Sequence, residues 1–475
     1  MLRRIMFSLL LATSITSVYA SDTEDKKING FRFHRTPETG TMIYDQTDKN
    51  IGSIFPENTL ELLEPYPIED TLIPVIPSLL KEFPKIQKVN ISRVPSLNPS
   101  NDVMASYRLL RALLSHDIAT INIFRLQLLK EDNINLLPEN NSLQALSISY
   151  CQGEKKVTDS SQDELNLMTS QFIHLVSKLE SLRRLILPQA VSDNITSSNL
   201  TYLNQIENLT IITGTSAIKS QDIAQLPSLT RLVMGFTSSH PANIMRLGEG
   251  LKKRTTPLFL ELMGGFFNDK EFKHFFKNQQ YSQITGLSLN KTSVSDPQSL
   301  RYLDSAFTDG SLQTLDLGIR VFDKGGLDIL LTSSCFSNIT ALNLSNTILL
   351  NADVYTLMSS VASNTTLKIL KMSPFVTDIQ PLPERGNTTL TALSTPGVKL
   401  TIPDFDKLSK LPNLTDLDFG YSAQPGENPL ETFKSVRTTL TALERVHING
   451  VGQKAEKTLV DILKDQSNHP FDKYF

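Results

Sequence analysis

One short phrase recurs along the chain: apolar, two variable residues, apolar, one variable residue, apolar. Leu312-Gln313-Thr314-Leu315-Asp316-Leu317 is one copy and Ile339-Thr340-Ala341-Leu342-Asn343-Leu344 is another. Fourteen copies start at Ile86, Ile118, Leu143, Leu182, Ile206, Leu229, Pro257, Ile284, Leu312, Ile339, Leu367, Leu390, Leu414 and Leu443. From Leu229 to Leu367 the steps are 28, 27, 28, 27 and 28 residues, while two early steps stretch to 32 and 39. The fourth and sixth residues of each phrase alternate with polar ones, which is strand periodicity. One such unit cannot bury its apolar edge alone, but stacked neighbours share a continuous core.

Between phrases the pattern changes to helical spacing. Leu165, Met168, Phe172, Leu175, Val176 and Leu179 share one helical face, with Ser161 and Glu164 as a capping box before it. Asp296 before Pro297 reads as an N-cap and first-turn proline. Asn268 with Glu271 opens a helix carrying Phe272, Phe275 and Phe276, and Asn351 opens another with Val354, Leu357, Met358 and Val361. Each unit therefore reads strand, turn, helix, turn.

Leu-x-x-Leu-x-Leu at these periods resembles the leucine-rich repeat family, in particular its longer, helix-containing class typified by ribonuclease inhibitor. The resemblance runs from about Ile86 to Asn449. It implies an α/β solenoid, or horseshoe, with a parallel β-sheet on the concave face and mainly α-helices on the convex face. One departure stands out. The family usually places Asn or Cys three residues after the sixth position; here five copies have Cys151, Thr237, Thr292, Thr347 and Ser422 there, others have residues such as Gly214, Gly265 and Val398, and no copy has Asn.

The predicted organisation is a signal peptide over 1–20, a flexible polar segment over 21–70, an N-terminal cap over 71–85, about fourteen repeats over 86–449, and a capping helix over 450–475. Arg3 and Arg4, the apolar run Ile5 to Leu11, and Val18-Tyr19-Ala20 read as a secretory signal cleaved after Ala20. The chain is thus expected to be secreted or periplasmic, with no membrane span after cleavage. Cys151 and Cys335 are the only cysteines. Six strand spacings would hold them roughly 29 Å apart, too far for a disulfide.

Net charge is −3, from 46 basic and 49 acidic residues, so electrostatics makes no case for nucleic acid. The flanks outside the array are short for a catalytic domain. Seven scattered histidines show no metal-ligand spacing, and no Gly-rich phosphate loop occurs. The reading predicts neither an enzyme nor a cofactor. Eleven Asn-x-Ser/Thr sites, including Asn140, Asn343, Asn364 and Asn387, read either as glycan acceptors or as repeat grammar.

The third, fifth and seventh phrase positions should project, exposed, from the concave face, and Asp316→Ala should be nearly silent for folding. Candidate partner-binding residues there are Arg184, Arg231, Phe259, Asp316, Asp416 and Asp418. Just beyond the strands, Phe124, Arg125, Phe236, Arg320, Phe375 and Tyr421 add anchors, because aromatic and Arg side chains dominate binding hot spots. The predicted function is binding of a protein partner, a host protein included, through this face. The alternative is a structural or adhesive component of the cell envelope.

Overall fold

The computed structural model describes residues 25–62 apart from 29–30, 37–39, 45–49 and 56–57, and residues 75–449 apart from 92–98, 128–130, 153–161, 214–219, 237–240, 278, 290–291, 319–325, 350, 377–386, 400–407 and 421–441. The signal segment and the expected capping helix over 450–475 lie outside the described residues. The chain divides into two compact units, Met1–Ile148 and Ser149–Phe475.

In the first unit, β1 (Asp25–Ile28), β2 (Phe31–Thr36), β3 (Gly40–Tyr44), β4 (Asn50–Phe55) and β5 (Thr59–Leu62) form an antiparallel meander. For the described residues of 25–62 this corrects the expectation of a flexible segment over 21–70. Phe33, Ile43, Ile54, Leu60 and Leu62 are buried, so alternating apolar positions supply a core. Asn58 makes the β4–β5 turn at φ 61°, a conformation Asn tolerates better than most residues. Its carbonyl accepts from Gln87 N and Lys88 N, starting the parallel run. β5 pairs in parallel with β6 (Lys88–Ile91), and β6 with β7 (Thr120–Gln127). The meander therefore covers the edge that the first parallel strand would otherwise expose. The helix expected over Thr71–Phe83 spans Ile76–Glu82.

β8 (Ala145–Gln152) follows, and the second unit carries β9 (Arg184–Leu187), β10 (Asn208–Thr213), β11 (Arg231–Phe236), β12 (Leu258–Asn268), β13 (Ile284–Ser288), β14 (Thr292–Ser293), β15 (Thr314–Asp316), β16 (Ala341–Asn343), β17 (Ile369–Lys371), β18 (Ala392–Lys399), β19 (Asp416–Gly420) and β20 (Arg445–Asn449). Every one of the fourteen phrases carries a strand. From β9 to β20, the strands that carry the phrases pair in parallel, phrase position against phrase position: Leu209 faces Leu232, Leu232 faces Leu260, Leu315 faces Leu342. The fourth-position column Leu185, Leu209, Leu232, Leu260, Leu287, Leu315, Leu342, Leu370, Leu393 and Leu417 is buried throughout. This is an α/β leucine-rich repeat fold, with helices such as Gln162–Ser177, Pro241–Lys252, Asp269–Phe276 and Asn351–Ser363 between strands.

Two of the expected caps are observed; Ser161 lies outside the described residues, and Asn351 is the first residue of its helix, Asn351–Ser363. Asn268 Oδ1 accepts from Lys270 N at 2.9 Å, and Asp296 Oδ1 from Gln298 N at 2.9 Å. The departure in the turns has a physical answer. Thr347, fully buried, donates from Oγ1 to Leu317 O of the preceding repeat at 2.8 Å, and Thr292 Oγ1 donates to Leu289 O at 2.9 Å. Threonine hydroxyls thus bond backbone where the family usually uses Asn.

Asparagine instead works at the other turn, three residues before the phrase. In seven described repeats the first phrase N–H donates to the backbone carbonyl three residues back, as from Leu182 to Leu179, Ile206 to Leu203 and Ile339 to Phe336. In three repeats a side chain takes over that role. Asn140 Oδ1 accepts from Leu143 N, Asn364 Oδ1 from Leu367 N, and Asn387 Oδ1 from Leu390 N, each at 2.7 Å. The amide nitrogens of Asn140 and Asn387 reach back to the previous repeat: to Leu114 O and His116 O, and to Val361 O and Asn364 O. Arg254, three residues before Pro257, makes the same reach to Ala224 O, Leu226 O and Leu229 O. Asn140 and Asn387 are buried and have given their amide hydrogens to carbonyls, so these two sites are repeat grammar and closed to glycan transfer in the folded chain.

Candidate partner-binding face

The strand parity that buries the fourth position turns the third and fifth to the opposite, open face of the sheet. In the second unit the ladder aligns the third positions as Arg184, Asn208, Arg231, Phe259, Gly286, Thr314, Ala341, Ile369, Ala392, Asp416 and Arg445. The fifth positions align as Ile186, Thr210, Val233, Glu261, Ser288, Asp316, Asn343, Lys371, Ser394, Asp418 and His447.

The clearest constellation lies on β11–β13. The Arg231 guanidinium sits 4.3 Å from the centroid of the Phe259 ring. Its Nη2 bonds Glu261 Oε2 at 2.8 Å. The Phe259 ring in turn lies against Gly286, where an added Cβ would stand only 2.2 Å from a ring carbon. Glycine is thus what lets the ring settle on the sheet. Arg231, Phe259 and Glu261 are each half-buried, so their orientation is fixed while contact surface remains.

Two strands on, the floor is acidic and closed. Asp316 is 6% exposed. Its Oδ2 accepts from Ser288 Oγ at 2.8 Å, and its Oδ1 is buried with no hydrogen-bond partner. Burial pushes its pKa up to about 6; Ser288 opposes that shift, Glu261 adds to it, and Lys371 and Arg231 oppose it. Further along, Asp416 receives Arg445 in a two-pronged ion pair, with Nη2–Oδ2 at 2.8 Å. Ser394 Oγ donates to Asp418 Oδ2 at 2.6 Å.

The expectation that all these positions are exposed is therefore corrected along much of the face: Val233, Gly286, Ser288, Ala341, Asn343, Ile369, Ala392 and Ser394 are buried, and so are three of the partner-binding candidates. Asp316, Asp416 and Asp418 are buried, because cross-strand neighbours enclose them. Phe236 is corrected as well: it is 5% exposed and stacks on Phe267 at 5.8 Å, inside a cluster that continues through Phe272, Phe275, Phe276, Tyr281 and Phe307. Arg184, Phe124 and Phe375 are exposed, the last two by 41% and 71%. Arg125 falls in β7, and its side chain, like Arg320 and Tyr421, lies outside the described residues. Arg184, Arg231 and Phe259 share one column; Phe124 belongs to the first unit. Glu261 is the residue that sequence reasoning missed as a partner. Its fifth-position slot beside the Arg231 column was the available signal.

Among the described residues, no group of three or more His, Cys, Asp or Glu side chains could hold a metal ion. No described helix is long and apolar enough to cross a membrane.

No protein-family model matches the chain, and no curated protein matches it. Among solved structures it is similar to TLR13 in complex with ssRNA13, at 15% identity over 78% of this chain and 61% of that one, TM-score 0.33. It is also similar to a leucine-rich repeat protein of Leptospira interrogans, at 15% identity over 86% and 87%, TM-score 0.26. A Listeria monocytogenes internalin matches at 16% identity over 76% and 99%, TM-score 0.29. The chain spans 61% of the TLR13 structure's length. The leucine-rich repeat assignment rests on this chain's own ladder: recurring phrase, parallel register and inward leucine column.

Proposed function

We propose that this chain is an extracytoplasmic leucine-rich repeat protein that binds a protein partner through the open face of its sheet. The observation that carries the reading is the Arg231–Phe259–Glu261 constellation: an aromatic ring and a guanidinium, held in fixed geometry yet half open to solvent. Arg and aromatic anchors dominate binding energy, and pre-set side chains lose less entropy on association. Arg184 extends the same column. The near-neutral net charge favours protein over nucleic acid.

The extracytoplasmic assignment is supported by Arg3, Arg4, the apolar run after them and Ala20. It makes a partner outside the producing cell, a host protein included, the natural class. The test is affinity capture with the mature chain from extracytoplasmic material, with N-terminal sequencing of the native protein. Stoichiometric recovery of one protein, and a chain starting at Ser21, support the proposal. Background proteins only, or a chain retaining Met1, contradict it.

A further inference from the structure

Away from the open face, the helix Asp269–Phe276 and the turn of the next repeat border an open cleft of about 620 Å³. Its lining includes Lys270, Lys273, His274, Lys277 and Tyr302. The helix buries Phe272, Phe275 and Phe276 together with Glu271, and leaves Lys270, Lys273 and His274 exposed on the other side. Lys270, Lys273, His274 and Lys277 then fall at helical spacing on that side, where like charges repel. Lys270 also stands in the first turn, where the helix dipole disfavours a cation.

No described acid pairs with these lysines, although two line the same cleft. Asp269 is consumed by the next repeat: it accepts from Ser295 N and Oγ, Asp296 N, and Ser299 Oγ, at 2.9–3.2 Å. Asp296 caps Gln298 N. Both carboxylates are committed to holding the inter-repeat turn. Three exposed lysines thus border an open cleft whose volume is within the ~300–1,000 Å³ range of small-ligand sites.

We propose that this cleft binds a phosphate or sulfate group carried by a small molecule. Lysine binds such oxyanions as a point charge, and several ammonium donors suit an ion with several acceptor oxygens. Occupancy would relieve the repulsion along the helix and offset the cost of Lys270 at its start. The site is independent of partner binding on the open face.

The test is calorimetric titration of the full chain with pyrophosphate and with inorganic phosphate, at low and high salt. The variant K270Q/K273Q/K277Q is compared with K81Q/K85Q, which removes exposed lysines elsewhere. Expected is one saturable site, weakened by salt, at least tenfold weaker in the triple variant and unchanged in the control. Co-sedimentation with phosphatidylcholine vesicles, with and without phosphatidic acid, separates the sources. Lysine-dependent vesicle binding assigns the group to a lipid headgroup; binding of the free anions alone assigns it to a soluble compound. No saturable binding in either arm, or equal loss in both variants, overturns the proposal. Melting of the triple variant without ligand at or above the wild-type temperature shows that any loss is not unfolding.

Discussion

Ser288 Oγ donates to Asp316 Oδ2 at 2.8 Å across neighbouring strands, and leaves Asp316 Oδ1 buried without a partner. The carboxylate is solvated on one side only by protein, so its charged form is disfavoured and its pKa rises to about 6 from 3.8. Between those values the folded state holds a proton that the unfolded state has lost. Stability therefore falls as pH rises from about 4 to about 6, and the penalty is complete above that. Asp316→Asn removes the charge. It should raise stability at pH 7 by about 2–3 kcal/mol, with the gain vanishing near pH 4. Urea unfolding of both forms at pH 4, 5, 6 and 7 checks this; a difference constant across the series contradicts it.

Asn387 bonds four backbone groups from one buried side chain: it gives to Val361 O and Asn364 O and accepts from Thr389 N and Leu390 N. Asn387→Ala leaves all four without that partner and should cost about 2–4 kcal/mol. Asn387→Asp keeps the acceptor but loses both donations, so it should fall between wild type and Ala. Denaturant midpoints rank the three. Glycosidase treatment of the native protein should leave the peptides containing Asn140 and Asn387 unchanged in mass.

Leu315 and Leu342 are fully buried and face each other on β15 and β16. Either truncation to Ala should destabilise by about 2–5 kcal/mol through lost burial and a residual cavity. Because the two side chains touch one shared space, the double variant should depart from additivity. Thermal unfolding of the three variants reads both effects.

Cys335 is a free, buried thiol whose burial pushes its pKa up to about 11. The thiolate is the reactive species, so native Cys335 should resist alkylation at pH 8 and react fully in denaturant. Mass analysis of the peptide containing it, with and without denaturant, gives the comparison.

The sequence made the inward leucine column and its register legible, because the strand period is two and each phrase repeats it. Leu185 through Leu417 stand where the phrase puts them. Exposure on the other side was less legible. Whether Asp316 is open or closed depends on Ser288, Glu261 and their neighbours on adjacent strands, which spacing along one strand does not convey. Phe236 was misplaced for a similar reason: its stacking partner Phe267 lies at the far end of the next strand. The strands of residues 25–62 were missed because they pair antiparallel and follow no repeat, although Phe31-Arg32-Phe33-His34 alternates as a strand should. The Asn140, Asn364 and Asn387 role carried a readable signal, an Asn three residues before the phrase, which the glycosylation motif masked.

The central claim is that the open face, and not the helical side, binds a protein. The direct measurement is equilibrium affinity of the captured partner for wild type, for R231A/F259A, and for M245A/Y355A, which truncates exposed side chains on helices. The open-face variant should bind at least about tenfold more weakly, as expected when hot-spot anchors are removed, while thermal unfolding shows it still folded at the temperature of the assay. The helix variant should bind like wild type. Wild-type affinity in R231A/F259A together with loss in M245A/Y355A would contradict the account.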